Sequence, residues 1–208
     1  MIVILDYGMG NLGSVLNMLR KIGAEATISS DPDQILAASK LILPGVGAFD
    51  RGMANLAQRG LLDPLNRAVL EQRTPVLGIC LGIQLMTRTS EEGTKPGLGW
   101  FEADTVRFQL SDLPGDRRHK IPHMGWNDVH YSPDSKLFQG WDGEARFYFV
   151  HSYYVTAQRS QDVAGTAAYG REFVAALERD HIFGVQFHPE KSHRYGMQLL
   201  KNFAGLSL

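Results

Sequence analysis

A three-layer α/β/α architecture, with a mixed and mostly parallel sheet carrying antiparallel additions, is predicted by three features of this 208-residue chain. Through the first hundred residues, short apolar runs rich in β-branched residues alternate with helical periodicities. That order builds a parallel sheet covered on both faces. After Trp100 the strand-like runs follow one another with no helical period between them, which adds antiparallel strands. A hydrophobic content of 44% and the absence of repeats, linkers and low-complexity tracts fit one domain over residues 1–208.

Residues 2–5, Ile-Val-Ile-Leu, make the first strand, ended by Gly8 and Gly10. Leu12, Val15, Leu16, Leu19 and Ile22 recur at helical spacing, with Lys21 in the last turn and Gly23 placed to stop the helix. A second strand follows at 26–28. Asp31, Pro32 and Gln34 then read as an N-cap, a first-position proline and the far half of a capping box. The third strand, 41–43, ends at Pro44-Gly45, and helical patterns pass through Phe49, Met53 and Leu56 and again through 65–70. Residues 75–80 are a fourth strand, with a helix from about Gly82. Strand-like runs at 101–108, 126–131 and 146–155 precede a hairpin, in which 173–177 and 182–187 flank residues 178–181. The pattern at 196–203 closes the chain as a helix.

Composition narrows the function classes. Lys and Arg number 21 against 22 Asp and Glu, so the net charge of −1 advertises neither nucleic acid nor an anionic membrane as partner. No apolar run approaches the roughly 20 residues of a bilayer span. The first residues lack the basic segment and cleavage site of a signal peptide, and a lone cysteine forms no internal disulfide; a cytoplasmic location is expected.

Gly8-Met-Gly10-Asn-Leu-Gly13 matches a dinucleotide fingerprint between a strand and a helix, with Asp31 near the end of the second strand. Tight strand-to-helix turns need glycines in any α/β protein, and a dinucleotide site leaves the rest of the chain unexplained. Gly78-Ile-Cys80-Leu-Gly82 is a stronger candidate. It sets the only cysteine at a sharp strand-to-helix turn, in the manner of a nucleophile elbow, where the helix dipole and free N–H groups favour a thiolate. The Leu81 N–H is then a natural oxyanion donor. Alone, Cys80 reads equally well as a small buried hydrophobe.

Gln186-Phe-His188-Pro-Glu190 supplies what that cysteine lacks: a base, His188, and a carboxylate, Glu190, two residues on and so on the same side of an extended chain. The Pro44-Gly-Val46-Gly47 loop follows a parallel strand and so shares the carboxyl edge of the sheet with Cys80, where it can aim a second N–H at an oxyanion.

In this order, P-G-V-G, G-I-C-L-G and Q-F-H-P-E resemble the triad glutamine amidotransferases, with their Cys-His-Glu catalytic set and flavodoxin-like fold. More narrowly, D-Y-G-M-G-N-L from Asp6, P-G-V-G-A-F from Pro44, I-P-H-M-G-W-N from Ile121 and Y-F-V-H-S-Y from Tyr148 are similar to the glutaminase subunits of imidazole glycerol phosphate synthases. The likeness runs from residue 2 to about 203, with P-H-M-G-W-N its most specific block and nothing transferred for 102–120. It implies hydrolysis of glutamine at Cys80 through a thioester, with His188 as acid and base held by Glu190. Leu81, Val46 and Gly47 would stabilise the oxyanion. Gly47, Gln84 and Glu92 would bind the substrate, aided by backbone at Ser152 and Tyr153, although sequence alone reads Gln84 and Glu92 as a solvated helix face. Ammonia would pass to a (β/α)8-barrel synthase subunit in a heterodimer of histidine biosynthesis. Asn11, Tyr148 and Lys191 would sit at that interface, and His123 there or in the fold.

The resemblance implies no cofactor. His119, His123 and His130 lack ligand spacing and have no cysteine companions, so no metal is expected, and His151, His181 and His193 take no role. Rival readings are a glutaminase of another pathway, such as pyridoxal phosphate synthesis, and a partner-binding module without chemistry. The P-H-M-G-W-N block argues against the first, and the intact Cys80, His188 and Glu190 argue against the second.

Overall fold

The computed structural model describes residues 1–109 and 120–207. His119 lies outside them. The chain opens with β1 (Ile2–Leu5), α1 (Leu12–Lys21), β2 (Ala26–Ser29), α2 (Pro32–Leu36), β3 (Lys40–Gly45) and α3 (Phe49–Gln58). It continues with α4 (Leu62–Asn66), a π-helical turn Arg67–Glu71, β4 (Val76–Cys80), α5 (Leu81–Leu85), β5 (Thr89–Ser90) and β6 (Ala103–Arg107). Then come β7 (His123–Asp128), β8 (His130–Tyr131), β9 (Arg146–His151), β10 (Tyr153–Ala157), β11 (Val163–Tyr169), β12 (Arg171–Arg179), β13 (Ile182–Val185) and α6 (His193–Gly205).

The main sheet has the order β2-β1-β3-β4-β13-β12-β10-β6-β5, with β11 on β12 and β8 on β11. From β2 to β13 every neighbouring pair is parallel; the β13–β12 and β12–β10 pairs are antiparallel. Alternation along the parallel strands splits the core into two layers. Ile2, Ile4, Ile42, Leu77 and Ile79 pack with Val15 and Leu19 of α1 and Leu199, Leu200 and Phe203 of α6. Val3, Leu5, Leu41, Leu43 and Val76 pack on the other side with Ile35, Phe49, Met53, Leu56 and Leu65. A period of two thus puts alternate side chains into opposite helical layers.

Several local expectations are corrected. Gln34 closes no capping box: Asp31 accepts from the Asp33 N–H at 2.9 Å, but the Asp31 N–H is taken by Ser29 Oγ at 3.0 Å. Strand β3 is not broken after Leu43 but runs on through Pro44 and Gly45, which pair with Ile79 and Cys80. Pro44 is tolerated because β1 reaches only as far as Ile42 on its other side, so no ladder partner loses a donor there. Helix α5 starts at Leu81, one residue before Gly82, and α6 at His193. Only Asp180 and His181 form the hairpin turn, since Glu178 and Arg179 pair with Phe183 and Ile182. The runs at 126–131 and 146–155 are each divided, at Val129 and Ser152. Strands β7 and β9 form a two-stranded sheet of their own, and β11 was not signalled by its small residues.

Candidate active site

Cys80 ends β4 and is the N-cap of α5, with φ 54° and ψ −103°. A non-glycine residue holds that backbone only where packing on both sides enforces it. The flanking glycines show how. A Cβ at Gly82 would lie 1.9 Å from the Leu43 carbonyl oxygen, and one at Gly78 would lie 2.8 Å from the backbone of Gly82 and Ile83. These glycines let β3, β4 and α5 close on each other; clearing space around the thiol is not their main work. The thiol faces the Val150 carbonyl at 3.9 Å, and the Gln186 amide donates toward the sulfur at the same distance.

His188 follows β13 in extended conformation and is 1% exposed. Its Nδ1 lies 2.8 Å from Glu190 Oε1. The contact is not made along an extended chain, as the spacing suggested: Pro189 opens a 3₁₀ turn, Pro189–Lys191, that curls Glu190 back to the ring. Ser192 Oγ donates to the His188 carbonyl at 2.6 Å and accepts from the Tyr148 N–H at 3.0 Å, while the His188 N–H bonds the Tyr148 carbonyl at 2.9 Å. The backbone of the base is thereby fixed from two sides. Nε2 is buried without a hydrogen bond of full geometry. Burial pulls the His188 imidazole down, but Cys80 and Glu190 outweigh it and push it up to about 10. A carboxylate on one side of the ring and a sulfur on the other favour an imidazolium.

A cavity of about 460 Å³ opens over these groups, lined by Cys80, Leu81, Val46, Gly47, Gln84 and Glu92 together with Pro122, His151, Ser152, Tyr153 and His188. That volume suits a small-molecule site. Gly47 has φ +113° at the rim. Gln84 is no solvated helix residue. It is 5% exposed, and its Nε2 donates to the Tyr153 carbonyl at 3.1 Å and to Gln186 Oε1 at 3.1 Å. Glu92 lies after β5 and accepts from the Phe49 N–H at 2.9 Å, at the first turn of α3. Gln186 was missed as a site residue. Its one sequence signal is its place two residues before His188, which puts it on the same strand face.

Asn11 is exposed at the start of α1 and its side chain caps nothing. A Cβ at Gly10 would lie 3.2 Å from the Pro44 backbone, so this glycine lets the turn after β1 close on β3. Lys191 Nζ stands 5.7 Å over the Tyr148 ring, whose edge faces Trp126 at 6.2 Å. Met124 and Trp126 of β7 are 62% and 39% exposed. His123 turns inward: it is buried, stacked on Tyr169 and Phe149 at 4.1 and 5.0 Å. Among the described residues no group of three or more His, Cys, Asp or Glu is arranged to hold a metal. No helix among them is long and apolar enough to cross a membrane.

Residues 3–205 match the sequence pattern of the family Glutamine amidotransferase class-I. The chain is 54% identical over 203 residues to imidazole glycerol phosphate synthase subunit HisH 2 of Methanococcus maripaludis, covering 98% of each chain. It is 52% identical to the subunit of the same name from Pseudomonas aeruginosa, covering 99% of this chain and all of the other. A solved structure of PurLQS from Thermotoga maritima superposes with a TM-score of 0.74 at 16% identity, over 97% of this chain and 96% of that one, a likeness of fold alone.

Proposed function

The chain belongs to the class-I glutamine amidotransferase family, and on that premise we propose that it hydrolyses the side-chain amide of glutamine at Cys80 and passes the ammonia to a (β/α)8-barrel synthase subunit of histidine biosynthesis. The observation that carries the chemistry is the His188 ring, held by Glu190 at 2.8 Å on one nitrogen, with Cys80 close enough to raise its proton affinity.

The Cys80 thiolate attacks the amide carbon, and the carbonyl π electrons move to oxygen. The Leu81 N–H at the start of α5, with N–H groups of the Val46-Gly47 turn, stabilises that oxyanion. The tetrahedral intermediate collapses, its C–N bond breaks and the imidazolium gives its proton to the departing nitrogen, which leaves a γ-glutamyl thioester. Neutral His188 then takes a proton from water, whose oxygen attacks the thioester carbon; the C–S bond breaks and glutamate leaves. Glu190 holds Nδ1–H throughout and so keeps Nε2 toward the reacting atoms. Glu92, a carboxylate of the lining, receives the substrate ammonium; Gln84, Gly47 and the backbone of Ser152 and Tyr153 hold the rest of the amino acid.

Ammonia is useful only beside a waiting acceptor. The relatives named as synthase subunits support assembly with another subunit; we read that assembly as a heterodimer with Asn11, Tyr148 and Lys191 at the interface, in the cytoplasm, where a lone thiol stays reduced. The Pro44–Gly47 loop is the proposed switch, because glycine tolerates the peptide flip that turns an N–H toward the oxyanion. The test measures glutamate release with and without the barrel subunit and its nucleotide substrate. Release is expected to rise strongly when both are added, and the barrel alone is expected to make product from ammonium salt. Full activity in the lone chain overturns the switch. A barrel unable to use ammonium overturns the division of labour.

A further inference from the structure

His151 lines the cavity yet takes no part in the chemistry above. Its Nδ1 lies 2.7 Å from the Tyr153 carbonyl oxygen, and its Nε2 lies 3.0 Å from Nδ1 of His123. Beyond that, Nε2 of His123 lies 3.4 Å from Nδ2 of Asn127, which also donates to the Ala168 carbonyl at 2.8 Å.

The two ends of this chain decide where every proton sits. A carbonyl only accepts, so Nδ1 of His151 carries its hydrogen. An amide nitrogen only donates, so Nε2 of His123 is a lone pair and its Nδ1 carries the hydrogen. Nε2 of His151 is left as the acceptor between them. All donation runs one way, from Asn127 through His123 and His151 to the Tyr153 carbonyl, with both rings neutral. The surroundings suit neutral rings: His151 is packed against Phe108, Phe149 and Phe173 at ring separations of 5.2–5.6 Å. With both nitrogens engaged, His151 has no free atom with which to act as a base.

The Tyr153 carbonyl is the junction. It accepts from His151 and also from the Gln84 amide, at 3.1 Å. Gln84 in turn bonds Gln186, whose own amide faces the Cys80 sulfur at 3.9 Å. The bend at Ser152, where β9 gives way to β10, is therefore tied on its inner side to the side chains that line the cavity.

We infer that His151 is a positioning residue for the substrate amino acid: its Nδ1–H sets the Ser152–Tyr153 bend and, through the shared carbonyl, the Gln84 amide, while His123 holds the ring in the one tautomer that can do so. This rests on the glutaminase reading and adds to it a residue that reaches no reacting atom. Its loss acts on glutamine binding and leaves the chemical step nearly untouched.

The test uses the complex with the barrel subunit and its nucleotide substrate, reading glutamate release against glutamine concentration. In His151→Asn the amide nitrogen occupies the place of Nδ1 and keeps the bond to Tyr153. In His151→Phe the ring volume is kept and both bonds are lost. KM is expected to rise at least tenfold in His151→Phe, with kcat within threefold of wild type, and to stay within threefold of wild type in His151→Asn. His123→Phe, which leaves the Tyr153 bond in place and removes only its support, is expected to give a smaller KM rise of the same sign. Thermal melts check that each variant folds. Wild-type KM in His151→Phe, a loss confined to kcat, or an Asn variant no better than the Phe variant overturns the inference while wild-type turnover leaves the glutaminase reading standing. A wild-type complex that releases no glutamate overturns that reading, and this inference with it.

Discussion

Two strands bring a buried histidine each to the cavity, and the protein pushes the two in opposite directions. On the β13 wall, burial pulls His188 down, but Cys80 and Glu190 push it up to about 10. On the β9 wall, burial pushes His151 down to about 3; His123 and His188 act the same way, against the Tyr153 carbonyl. Both rings leave water, so burial alone does not separate them. The neighbours do: Glu190 and Cys80 make one ring a proton carrier, and a fixed donor chain makes the other a neutral strut.

The largest expected effect tests whether the chemistry belongs to the charged wall. Cys80→Ser is expected to abolish glutamate release, by more than about a thousandfold, with fold and partner binding kept. A glutamine-analogue electrophile is expected to label Cys80 in the wild type. Wild-type turnover in the Ser variant rules out a covalent route. His188→Ala is expected to cost about 10²–10⁴ in kcat, the usual worth of a proton-transfer group. Glu190→Gln is expected to cost less, because it orients the ring without moving the proton itself. Single-variant rates decide, and equal or reversed losses exchange the roles. Gln186→Leu removes one bond to Gln84 and the contact with sulfur. A neutral hydrogen bond is worth about 1 kcal/mol, so a fall of roughly fivefold in kcat/KM is expected, and no change means the amide is structural filler.

The smallest expected effect concerns stability. The His151 pKa is lowered from 6.5 to about 3 in the folded chain, so between those values the unfolded chain binds more protons. Its contribution is full above pH 6.5 and is lost as pH falls toward 3. For His188 the sign reverses: its contribution is full below 6.5 and is lost as pH rises through about 10. Melting temperatures of wild type and His151→Asn across pH 4–8 check the acid side (a range set around the ~6.5 reference value). The variant is expected to lose less stability on acidification; an unchanged acid slope shows that His151 does not titrate on unfolding.

Local signals carried most of the parallel half. The unbroken apolar run of Ile2–Leu5 and the apolar spacing of Leu12, Val15 and Leu19 are properties of neighbouring residues, and the structure obeys them. The elbow was legible for the same reason, since Gly78-Ile-Cys80-Leu-Gly82 carries its turn chemistry in five consecutive positions. Gln84 and Gln186 were not legible. Each is a polar residue that belongs on a surface until a partner from a distant segment satisfies it, and a sequence separation of 102 hides that bond. His123 and His151 are hidden likewise, their rings joined only because β7 pairs with β9. Gln34 failed differently: a correct local motif lost its donor when Ser29 reached the Asp31 N–H first. Strand β11 holds mainly small residues and a register shift at Gly165, so its alternation is too weak to read.

The closeness of Gly82 to the Leu43 carbonyl has a consequence for how this protein tolerates change. Elsewhere around the cavity, a substitution trades one side chain for another and neighbours adjust by small amounts. At Gly82 even one methyl group would meet backbone at 1.9 Å, and backbone in the middle of a central sheet does not yield. Drift among the side chains that line the cavity is graded, whereas drift at the elbow is all or nothing. A position that admits almost no variation carries no functional group at all.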